Sequence, residues 1–159
     1  MVGLSRPLAL VALTTLPMFA AAQPQLLPSF DATLKALKDG WPVRVTIEYA
    51  RCSLTVDGVT QQAPDAIGGM ALSTFEYFAR GVVRNPKAYV ATSETHLIAH
   101  PRYGYVDNYV RLRIYEDDTV EIVARYLKPA THEVVTDETF YGRISNGSDQ
   151  EGIHFTALR

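Results

Sequence analysis

The chemistry available to this 159-residue chain rests on four histidines, one cysteine and a run of tyrosines and arginines. His96 and His100 stand four apart, a spacing that would put two imidazoles on one face of a helix. Thr92, Thr95, Ile98 and the following Pro101 favour a strand instead. Four residues along a strand span about 13 Å. Two ligands each about 2 Å from one zinc cannot be that far apart. No metal site is therefore expected, and no cofactor. His132 and His154 are lone histidines near strand ends and read as surface residues.

Nucleophilic catalysis has no local signature, since G-x-S-x-G, S-x-x-K and H-E-x-x-H are all missing from the sequence. A serine, a histidine and a carboxylate can still meet in space. The paired carboxylates Asp117-Asp118 fall in a predicted hairpin turn, where aspartate commonly bonds the backbone, and they read as a solvated turn. Asp137 and Glu138 face opposite sides of a predicted strand, so Glu138 is expected to point inward with Arg125 or Arg113 as its partner. Tyr103, Tyr105, Tyr109 and Tyr115 interleave with Arg111 and Arg113, and Arg125 follows. Tyrosine and arginine are enriched at binding hot spots. They are also ordinary strand residues that stabilise cross-strand pairs. Tyr105, Tyr109, Arg111, Arg113, Tyr115 and Arg125 are the candidate ligand- or partner-binding residues. Cys52 has two readings, a buried small apolar side chain or an intermolecular disulfide. The chain is thus a monomer or a Cys52-linked dimer.

The elements that position these residues follow from periodicity. Ser29 is a good N-cap, Phe30, Leu34 and Leu37 recur at helical spacing, and Gly40 is placed to end a short helix over 30–39. The lead over 23–28 reads as loose. Val43, Val45, Ile47 and Tyr49 then alternate with Arg44, Thr46 and Glu48 as in a half-buried strand. Asp57-Gly58 signals a hairpin. The stretch 61–69 reads as a loop, and 70–79 is ambiguous, with Phe75, Tyr77 and Phe78 favouring a strand. Further strands are expected over 89–100, around Val110, Leu112 and Ile114, around Val120 and Ile122, over 132–144 and over 152–158. Asn146-Gly147-Ser148 matches a glycosylation acceptor pattern but reads as a turn. The expected architecture is mainly β, an antiparallel meander or small closed barrel of about seven strands with one short N-terminal helix.

Residues 1–22 are set apart from this fold. Arg6, the apolar run Leu8–Leu16, Pro17 and Ala20-Ala21-Ala22 have the layout of a cleavable signal peptide. That apolar run is about half of the roughly 20 residues a bilayer span needs. The remainder, 23–159, reads as a single β-rich domain. Formal net charge is −2, which gives no basis for a nucleic-acid partner. One cysteine excludes an internal disulfide framework.

Several local stretches resemble the VirK family of small secreted bacterial proteins. They are the helix end Leu34-Lys35-Ala36-Leu37-Lys38-Asp39-Gly40, the strand from Val43 into Cys52, the segment Pro64-Asp65-Ala66-Ile67-Gly68-Gly69-Met70 and the aromatic run Thr74-Phe75-Glu76-Tyr77-Phe78. The resemblance implies export and an association with virulence or host interaction, and it supplies no catalytic residues. The expected protein is an exported, non-enzymatic binding protein of the periplasm or extracellular space. Its partner would be a small ligand in a barrel, or a protein or glycan on the Tyr/Arg face. The rival is a small periplasmic hydrolase using a histidine and a carboxylate.

Overall fold

The computed structural model describes residues 23–158, so residues 1–22, where a signal peptide is expected, lie outside the described residues. Eleven strands and one helix follow in the order β1 Pro24–Leu27, α1 Phe30–Lys38, β2 Val43–Glu48, β3 Ser53–Val56, β4 Val59–Gln61, β5 Ile67–Ala71, β6 Glu76–Phe78, β7 Tyr89–His100, β8 Gly104–Tyr115, β9 Thr119–Leu127, β10 Val134–Arg143 and β11 Ile153–Leu158. They form two sheets, a four-stranded one ordered β1-β11-β2-β5 and a seven-stranded one ordered β4-β3-β10-β9-β8-β7-β6.

Both sheets are antiparallel, and β6 to β10 run as a continuous meander. Closure into a barrel does not occur. The seven-stranded sheet ends at β4 and β6, each three residues long. Short edge strands are one of the ways an open sheet avoids pairing with another chain. Val43, Val45 and Ile47 of β2 and Ile153, Phe155 and Ala157 of β11 share one core with Val90, Leu112, Ile114, Val120, Ile122 and Phe140 of the larger sheet. Phe155, Leu112 and Ile122 are each fully enclosed, and burying one such side chain contributes about 1.5–3 kcal/mol. Gly142 of β10 leaves room for Ile153 of β11 and for Cys52. A Cβ there would lie 2.7 Å from Ile153 Cδ1 and 3.1 Å from Cys52 Sγ.

The helix begins and ends where its caps require. Ser29 has extended backbone and accepts the Ala32 amide, and Gly40 takes φ +76° just beyond the end. Asp57 and Gly58, at φ +50° and +79°, make the expected two-residue hairpin between β3 and β4.

Several expectations need correction. The lead over 23–28 is not loose. Pro24–Leu27 pairs with Phe155–Leu158, because β11 offers an edge that β1 alone can cover and Leu27 reaches the core. The stretch 61–69 is not all loop, since Ile67–Ala71 pairs with β2, and within the ambiguous 70–79 Glu76–Phe78 pairs with β7, so the two strands belong to different sheets. Asp118 is not simply solvated: its Oδ1 accepts the Phe30 amide at 2.8 Å, at the N-terminus of α1. Asn146 does make the expected turn, its Oδ1 accepting Ser148 N–H at 2.9 Å. Asp149 anchors that loop through Ser145 Oγ and the Asn146 amide, and these bonds hold its carboxyl below the usual carboxylate range.

Candidate functional site

Strand register turns the alternation of the sequence into rows of side chains on the solvent face of the large sheet. Even-numbered Leu112, Ile114, Val120 and Ile122 enter the core, so their odd-numbered neighbours face out. One row runs Ala91, Arg113, Glu121, Tyr141, Ser53 across β7, β8, β9, β10 and β3. The next runs Ser93, Arg111, Val123, Thr139, Thr55, and a third Thr95, Tyr109, Arg125, Asp137. Five of the six candidate residues, Tyr109, Arg111, Arg113, Tyr115 and Arg125, thus lie together. Tyr105 is on the same face but toward the far end of β8, opposite Ala99, and is 73% exposed.

The charges are interlocked. Arg111 Nη2 donates to Glu121 Oε1 at 2.9 Å, and Arg113 Nη1 approaches the same oxygen at 3.8 Å. Arg125 Nη2 lies 2.9 Å from Asp137 Oδ2, and that carboxylate raises the Arg125 pKa above its ordinary value. Each guanidinium contacts its carboxylate through one terminal nitrogen, out of five N–H donors on the group. The Arg111 and Arg125 Nε atoms are shielded from solvent and have no hydrogen-bond partner among the described residues. Val123, only 4% exposed, lies on this face between Arg111 and Thr139.

Aromatic rings border the charges. Phe78 stacks on Tyr89 at 4.9 Å, and Tyr89 meets Tyr115 at 5.9 Å. The Arg113 guanidinium sits 5.6 Å from the Tyr89 ring centre. Burial is the main cause that raises the Tyr115 pKa. Three cavities open along this face. The first, about 510 Å³, is lined by Phe75, Ala91, Ser93 and Arg111. The second, about 400 Å³, is lined by Arg111, Arg113, Glu121, Arg125, Asp137 and Tyr141. The third, about 670 Å³, is lined by Ser53, Lys87, Tyr115, Glu121, Tyr141 and Arg143.

A family model described as VirK protein matches residues 26–132. This chain belongs to the VirK family. The crystal structure of a VirK family protein from Legionella pneumophila is similar with a TM-score of 0.61 and 14% identity, over 82% of this chain and 97% of that one. At that identity the likeness concerns the fold. No curated protein matches the chain.

The remaining candidates of this VirK chain are dispersed. Cys52 is buried, its Sγ 3.8 Å from the Glu48 carbonyl oxygen, and burial pushes its thiol pKa up. A disulfide to a second chain would require the core to open there. His100 packs on Tyr103 at 4.7 Å and Tyr126 at 5.0 Å. His132 occupies a turn at φ +56°. His154 Nε2 lies 3.3 Å from Glu48 Oε1 on the four-stranded sheet. Glu138 does not take Arg125; its outward neighbour Asp137 does, because Arg125 points to the solvent face.

Glu121, Asp137, Tyr141 and Val123 were not among the sequence candidates. Their alternation within each strand was visible, but their place beside Arg111 depends on register between strands. A smaller cavity of about 180 Å³ was equally hidden. Tyr49, Gly68, Gly69, Met70, Glu94 and His96 line it, together with Asn108, and Glu94 bonds His96 there.

Proposed function

We propose that this VirK family chain is an exported, non-enzymatic binding protein of the periplasm or extracellular space, suited to host association, and that it binds through the solvent face of its large sheet. The observation that carries this reading is the Arg111–Glu121 and Arg125–Asp137 array, in which each guanidinium meets its carboxylate through one terminal nitrogen and keeps further N–H donors on a solvent face along which cavities open. The layout of residues 1–22 supports export.

Native mass spectrometry of the protein purified from its own host's envelope or medium tests both parts. The expected mass begins at Gln23 and carries an adduct that Arg111→Ser/Arg125→Ser lacks. A chain that keeps residues 1–22, a bare wild-type mass, or an adduct that the variant retains would overturn the corresponding part.

One observation favours the enzymatic alternative. Glu94 and His96 form a carboxylate–imidazole pair at a cavity that also holds the Tyr49 side chain. Such a pair suits general-base work. The His96 side chain is 64% exposed, which places the pair at the rim, and the binding reading remains the better supported. Esterase or amidase turnover abolished by His96→Gln would reverse that order.

A further inference from the structure

We propose that β7 pairs with β7 of a second copy of this chain, joining two large sheets edge to edge. The proposal does not depend on the binding role of the Arg111 face. β6 covers only Tyr89–Ala91 of β7, and just beyond it Thr92 Oγ1 donates to the Thr74 carbonyl at 2.6 Å. From Glu94 to His100, β7 pairs with β8 on one side and, among the described residues, with no strand on the other.

One bond fixes the direction of the backbone groups. Glu116 N–H donates to the Ala88 carbonyl at 3.0 Å, one step before the Tyr89–Tyr115 pair of the ladder. Bonded and non-bonded pairs alternate along an antiparallel ladder, and this register runs without a shift to His100–Gly104. Even-numbered residues of β7 therefore bond β8. Thr95, Leu97 and Ala99 turn their N–H and C=O to the open edge, where no other described backbone bonds them. Natural edges are commonly blunted by lysine, proline or a bulge, and the stretch 94–100 has none of these. Pro101, without an N–H, ends it.

Backbone groups alone would accept any extended peptide. The side chains favour a second copy, because the edge complements itself. With Leu97 opposite the partner's Leu97, Thr95 meets the partner's Ala99, His96 the partner's Ile98 and Glu94 the partner's His100. This register uses the whole open stretch and no more. It keeps the two Glu94 carboxylates at opposite ends. Each then lies between His96 of its own strand, which it already contacts, and the partner's His100. Such even-numbered pairs are non-bonded ones, where side chains approach most closely. Thr95, Leu97 and Ala99 make the bonded pairs, about six hydrogen bonds in all. Leu97, 61% exposed on the outer face, gains an apolar cross-strand partner. The twofold axis stands perpendicular to the sheet, so the Arg111 faces of both copies open on the same side.

Sedimentation velocity of the purified chain from about 5 to about 500 μM is the test. The contact is small by interface standards, and a dissociation constant on the order of 10–100 μM is expected. Leu97→Lys sets two ammonium groups opposite each other and should leave the chain monomeric throughout, with its melting temperature unchanged. Cysteine oxidation reads the register. Cα atoms of a bonded pair lie about 5.5 Å apart, within disulfide reach, so Leu97→Cys should cross-link to its own copy. Thr95→Cys should not, since its two copies are offset by about 13 Å along the strands, yet it should cross-link when mixed with Ala99→Cys. A chain that is monomeric at every concentration would overturn the proposal. So would a dimer that Leu97→Lys leaves intact, or a self-linking Thr95→Cys beside an inert Leu97→Cys. If Leu97→Lys does not fold, the cysteine series decides alone.

Discussion

Asp118 in the β8–β9 turn and Phe30 at the start of α1, 88 residues apart, are joined by a 2.8 Å hydrogen bond from the Phe30 amide to the Asp118 carboxylate. Asp118 holds φ +65° to make this reach. The bond docks the helix against the hairpin that carries Arg111, Arg113, Glu121 and Arg125. Asp118→Ala removes the acceptor and places alanine in the left-handed region, and should cost about 1–2 kcal/mol in urea denaturation. Asp118→Asn keeps an acceptor and tolerates that backbone, losing only the charge near the helix terminus, about 0.3–1 kcal/mol. Equal losses in the two variants would contradict this account of the contact.

Asp117, next door, behaves differently. Hydrogen bonds from Lys87 and Thr119 hold its pKa at about 2, against about 3.9 in an unfolded chain. A depressed folded pKa contributes stability that is fully present above about pH 4 and is lost as pH falls toward about 2. Asp117 is solvent-exposed, so screening keeps the contribution small. Asp117→Asn should flatten the acid limb of stability against pH between those values. An unchanged acid limb would show that the Lys87 pair contributes nothing.

Cys52 should react with an aromatic disulfide reagent far more slowly in the folded protein than in urea. Its thiol is buried, its pKa is raised chiefly by burial, and Gly142 packs against the sulfur. Non-reducing electrophoresis should show a monomer. Rapid native-state labelling or a reductant-sensitive dimer would place the thiol outside the core.

Arg125→Ser should lower stability by less than about 1 kcal/mol, since its partner Asp137 is 42% exposed and surface ion pairs contribute little. The same holds for Tyr141→Ser, whose side chain stands out from β10. Thermal melts check this directly. A collapse of folding in either variant would make the face a structural element.

Much of the fold was legible because alternation is local. Leu112 and Ile114 announced their buried face while Arg111 and Arg113 announced the open one. The strand β1 was not legible, since Pro24–Leu27 is ordered by β11 from the opposite end of the chain. Nor was the assignment of β5 and β6 to different sheets, which tertiary packing decides. The arginines and tyrosines of the site could be named from composition. Their carboxylate partners could not, because a one-residue slip between β9 and β10 would send Asp137 and Glu121 to different faces. Register, set by the packed core, creates the array.

The most direct test of the central claim is a printed array of extracellular proteins and glycans probed with the wild-type chain and with Tyr109→Ser/Arg111→Ser. Both proteins are first matched for melting temperature. If the solvent face of the large sheet is the binding surface, the wild type captures a defined subset and the folded variant loses at least about tenfold of that signal. A folded variant that keeps the full wild-type pattern would contradict the claim.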